Sequence, residues 1–92
     1  MHLALQNAET INRLVEQGES LLKRFHAEYE KDPGGSKTEF MRGNLMGWRS
    51  TLHTLYRDYA EDIVNRALTR TRLTLPDGEV RSGAHLVAEV AL

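Results

Sequence analysis

The chain has no cysteine. No disulfide can staple it, and a zinc site would have to do without thiolates and rest on histidines and carboxylates, an uncommon set. The four histidines, His2, His26, His53 and His85, are scattered. No apolar run approaches the roughly 18 residues that a membrane span needs. The opening MHLALQNAET lacks a basic stretch followed by a long apolar core, so no secretory leader is expected and the expected location is cytoplasmic. Neither charge sign dominates: the formal net charge is −1. That balance excludes wholesale electrostatic binding of nucleic acid. The asymmetry between halves is mild, with four basic against six acidic residues over 1–36 and eight against seven over 37–92.

Catalytic patterns are missing as well. The single Gly-Gly pair, Gly34-Gly35, follows no strand and lacks the rest of a phosphate-binding loop. Serines 20, 36, 50 and 82 have no nucleophile-elbow context. His26 and Glu30 lie one helical turn apart, but two ligands do not make a metal site. No catalytic residue, metal site or cofactor is therefore assigned. An enzyme would require a concave pocket enclosing His53 with an acid in hydrogen-bonding range.

What is present is helical periodicity. Ninety-two residues suit a single domain spanning 1–92. Ile11, Val15, Gly18, Leu22, Phe25 and Tyr29 are spaced alternately four and three apart, which predicts a helix over 7–31. Asp32-Pro33-Gly34-Gly35 ends it. Ser36-Lys37-Thr38-Glu39 has the form of a capping box and predicts the start of a second helix. Met41, Leu45, Trp48, Leu52, Leu55, Tyr59 and Ile63 continue the same spacing, so this helix is expected over 36–70, overshooting its partner. Folding about Gly34-Gly35 sets Tyr29 near Met41, Leu22 near Trp48, Gly18 near Leu52 and Ile11 near Tyr59. Leu73 and Val80 flank a Pro-Asp-Gly turn and predict a β-hairpin. The tail from Ala84 reads slightly better as a third strand than as a helix. The fold class is thus α+β, mainly α: an antiparallel helical hairpin with a C-terminal β-hairpin arm over 71–92.

The second helix carries two glycines within one turn, Gly43 and Gly47. Each costs roughly 0.5–1 kcal/mol relative to alanine inside a helix. With Ser50 and Thr54 they form a stripe of small residues opposite the apolar seam, flanked by Phe40, Asn44 and Thr51. A face meeting only water would normally carry strong helix formers such as Glu and Lys. A lone helical hairpin also lacks an enclosed core and needs a third layer. That layer can be the β segment, a second copy or another protein. The expected partner-binding residues are Phe40, Gly43, Gly47, Ser50 and Thr54, with a homodimer as the leading assembly, formed through this helix or by pairing of the C-terminal strands. The competing reading is a helix break or a tolerated solvent face.

Arg42, Arg49, His53 and Arg57 make a basic stripe beside the seam, and Arg66 and Arg70 extend it at other angles. Two expectations follow. The first is a small non-enzymatic protein–protein interaction module, an adaptor or an inhibitor of a larger complex, of the kind phages and mobile elements encode. The alternative is a nucleic-acid-binding regulatory dimer that uses the arginine-rich face of helix two.

Overall fold

A computed structural model describes residues 8–90, so the expectation for Asn7 lies outside the described residues. The protein is mainly helical, with a small two-stranded antiparallel sheet. The order is α1 (Ala8–Lys31), α2 (Ser36–Leu55), α3 (Ala60–Arg70), β1 (Arg72–Thr74), β2 (Val80–Ser82) and α4 (Gly83–Glu89).

α1 buries the predicted seam: Val15, Gly18, Leu22 and Phe25 are all inaccessible. Beyond it, the Asp32 carbonyl accepts from the Gly35 N–H (3.0 Å) and from the buried Thr38 hydroxyl (2.6 Å). The predicted capping box does not form. Gly35, which has no side chain to cap with, is the N-cap instead of Ser36: its carbonyl accepts the Glu39 N–H and starts the helix one residue early. Glu39 instead pairs with Arg42 at 3.2 Å.

The expected single helix over 36–70 is two helices. α2 stops at Leu55, and the chain turns through Tyr56, Arg57, Asp58 and Tyr59 before α3 begins. Tyr56 leaves helical geometry at φ −130°, ψ 51°. No proline or glycine stands there to force the break. The cause is packing. A straight continuation would carry Ala60, Ile63, Val64 and Ala67 beyond the end of α1 into water. The turn lays α3 back along the hairpin, and all four become buried. Full burial of an Ile or Val side chain is worth about 1.5–3 kcal/mol, enough to outweigh a few lost helical hydrogen bonds. The third layer is thus the chain's own α3. Arg70, on α3, meets Glu19 of α1 at 3.2 Å.

Gly18 marks the junction of three helices. A methyl group there would overlap the Trp48 ring of α2 and come within 2.9 Å of the Ala67 methyl of α3. Gly18 does make room for a bulky neighbour, but that neighbour is Trp48 rather than Leu52. The helical pair is therefore offset by one turn from the predicted register. The indole Nε1 donates to the Leu14 carbonyl at 3.2 Å. Tyr59, expected against Ile11, lies in the turn and is exposed.

The β-hairpin follows prediction. Arg72 pairs with Ser82, Leu73 with Arg81 and Thr74 with Val80. Gly78 adopts φ 88°, and Asp77 Oδ1 accepts the Glu79 N–H at 2.9 Å. The tail is a helix, contrary to the expected strand. Leu86 is buried and Val87 and Val90 are partly buried against the core, an arrangement that helical spacing allows and strand alternation does not. Gly83 permits the entry, since a Cβ there would sit 3.0 Å from Leu22 Cδ1 and 3.2 Å from the Leu68 carbonyl. Arg42 holds the other end, its Nη1 donating to the Val90 carbonyl at 3.3 Å while its guanidinium lies 5.2 Å above the Phe25 ring.

The glycines should separate cleanly in a denaturant series followed by circular dichroism. Gly18→Ala is expected to destabilise the protein by about 1–3 kcal/mol through overpacking. Gly43→Ala and Gly47→Ala, where a Cβ meets nothing within 4 Å in the chain itself, should each stabilise the monomer by about 0.5–1 kcal/mol, measured at a protein concentration too low for association.

Candidate functional site

α2 presents two faces. Leu45 and Leu52 point into the core, and Met41, Trp48 and Tyr56 pack beside them. The opposite arc holds Phe40, Gly43, Asn44, Gly47, Ser50, Thr51 and Thr54, and every one of these is exposed. At 100° per residue they span about 120° of the helix. None is charged. Phe40 is 69% accessible. It borders a shallow depression of about 350 Å³ between α1 and α2, which Arg24, Ala27, Glu28, Lys37 and Met41 complete. Thr54 satisfies its hydroxyl on the Ser50 carbonyl at 3.1 Å. The glycines mark no break, for the helix runs unbroken through both.

Beside this face lies a groove of about 390 Å³ between α2, α3 and α4. Leu45, Trp48, Val64, Leu68 and Val87 supply its apolar lining, and Met46, 54% exposed, forms a lip. Arg49, Ser50 and His53 are its polar residues. The groove exists only because the chain breaks after Leu55 and brings α3 alongside α2. Its α3 and α4 walls were not visible in the sequence. The signal that could have revealed them is the change of phase at Ala60, Ile63, Val64 and Ala67.

The basic residues do not act as one set. Arg49 and His53 come together on a single oxygen, Glu61 Oε1, at 3.7 and 2.6 Å. Arg42 stands apart on Phe25, Glu39 and Val90. Arg57 sits exposed in the turn. Arg66 pairs with Asp62 at 3.1 Å, and Arg70 with Glu19. The acid within reach of a groove-lining His53 meets the geometric requirement for acid–base chemistry. The distal ring nitrogen, the one best able to reach a substrate, is however occupied by Glu61, and the pair is roughly half exposed.

A second concavity, of about 470 Å³, is polar. Glu30 of α1, Asp77 and Arg81 of the hairpin, and His85 and Glu89 of α4 line it. Arg81 Nη1 donates to His85 Nε2 at 2.7 Å and its guanidinium reaches Glu79 at 3.1 Å. Below it, His26 lies 3.3 Å from Glu30. Two His-x-x-x-Glu pairs, 26/30 and 85/89, thus line one small cavity, a repetition already visible in the sequence. Among the described residues no three His, Cys, Asp or Glu are grouped to hold a metal ion. No helix among them is long and apolar enough to cross a membrane.

The chain matches no protein-family model, no curated protein and no solved structure. The functional reading therefore rests on this geometry alone.

The contrast between the two sides of α2 is measurable. At a concentration that keeps the chain monomeric, Phe40→Ser and Met46→Ser should each change unfolding free energy by no more than about 0.5 kcal/mol. Leu45→Ala, next to Met46 in sequence but buried, should cost about 2–5 kcal/mol.

Proposed function

We propose that this protein is a small non-enzymatic interaction module that self-associates through the outer face of α2 and serves as an adaptor or inhibitor of a larger complex. The observation that carries the reading is the uncharged, solvent-exposed arc from Phe40 to Thr54. Lys, Glu and Gln would stabilise that stretch of helix and keep it soluble, yet it holds two glycines, a serine, two threonines, an asparagine and a phenylalanine. Small residues let a second backbone approach closely, and an exposed aromatic beside them supplies an anchor.

The pattern also suits a second copy. Laid antiparallel across itself with Gly47 at the centre, the face pairs Phe40 with Thr54, Gly43 with Thr51 and Asn44 with Ser50. Every member of the arc meets another member, as a two-fold interface requires. The face is about 21 Å long, counting 1.5 Å per residue.

Absolute mass in solution, by light scattering or sedimentation equilibrium, tests this. The wild type is expected to be a dimer, and Gly47→Leu a monomer with unchanged helical circular dichroism. A monomeric wild type rejects self-association. A dimer indifferent to Gly47→Leu moves the interface elsewhere, first to the C-terminal strands.

A further inference from the structure

The groove between α2, α3 and α4 lies on a different side of α2 from the arc, sharing only Ser50 with it. We infer that it is a binding site for a small amphipathic acid, an apolar chain ending in a carboxylate. Its volume, about 390 Å³, falls at the small end of the range for ligand pockets. Leu45, Trp48, Val64, Leu68 and Val87 give it an apolar lining that offers an uncharged chain a dry surface.

The head group follows from charge. Among the described residues the lining contains no carboxylate, and its only ionisable side chains are Arg49 and His53. These two side chains converge on one carboxylate oxygen already, that of Glu61. Glu61 does not line the groove, and its side chain is 57% accessible. It can rotate outward and yield its place to a ligand carboxylate that arrives with an apolar tail. The ligand head would thus lie at the mouth of the groove, where the chain's own glutamate now pairs with Arg49 and His53. A neutral alcohol would gain the tail contacts alone. A cationic head would face Arg49 directly.

Trp48 is the only tryptophan of the chain and lines the groove, so its fluorescence reports occupancy. Decanoate, decanol and decyltrimethylammonium, each below its aggregation threshold, are titrated with Trp48 emission and calorimetry as parallel readouts. Decanoate is expected to bind saturably at one to one below about 1 mM, decanol about tenfold more weakly, and the cation not at all. Arg49→Gln should weaken decanoate about tenfold and leave decanol unchanged. Glu61→Gln should strengthen decanoate by removing its competitor, and Met46→Glu, a new carboxylate on an exposed lip, should weaken it. Absence of saturable binding in both readouts overturns the inference. So does a cation that binds as tightly as decanoate, or an Arg49→Gln variant with wild-type affinity. Because binding is read per chain, the result stands whether the protein is a monomer or a dimer.

Discussion

The close approach at Gly18 is the contact on which the other features of the molecule depend. An indole, a glycine and an alanine from three helices share a volume that a single added methyl would overfill. Packing at protein-interior density leaves little slack for such a group. The indole is held at its polar end by the Leu14 carbonyl, sets Cη2 and Cζ2 against Gly18, and lines the groove. One side chain therefore joins the helical hairpin, seats α3 and lines the candidate ligand site.

The turn at Tyr56–Tyr59 decides what the rest of the surface is for. Two helices alone would leave an open apolar seam and need outside cover. By folding α3 back, the chain covers the seam itself, and α4 closes one end with Leu86. The outer arc of α2 is not needed to complete the core. Its lack of charge is consequently a property of the surface, where association and solubility are decided. The same turn creates the groove, since Val64 and Leu68 would otherwise project beyond the end of the hairpin.

Charge is handled locally. Arg42 and Arg49 of the basic stripe, with Arg66 and Arg70 beyond it, are divided among Glu39, Glu61, Asp62 and Glu19. The more exposed of these, Arg49–Glu61 and Arg66–Asp62, contribute little stability, roughly 0–1 kcal/mol each. Their effect is to set where positive potential remains. Arg49 and His53 stand at the groove, Arg42 binds the end of α4, and Arg70 ties α3 to α1. An arginine's angle on a wheel does not indicate which of these it does, because its acid comes from another turn or another helix.

The sequence by itself determined the local elements. Seam spacing defined α1, Asp32-Pro33-Gly34-Gly35 its end, and Pro76-Asp77-Gly78 the hairpin, because each depends on neighbours within a few residues. It also displayed the uncharged arc of α2 and the exposed Phe40, which are properties of one helix. The break after Leu55, the helical tail and the identity of the residue facing Gly18 were decided only in the tertiary structure. No breaker occupies 56–59, and Ala84 to Val90 fits either periodicity. The choice rests on how much apolar surface each path buries against α1, an energy that no local window of sequence contains. The groove belongs to the same class, for its walls lie on three helices and meet only when the chain has turned back on itself.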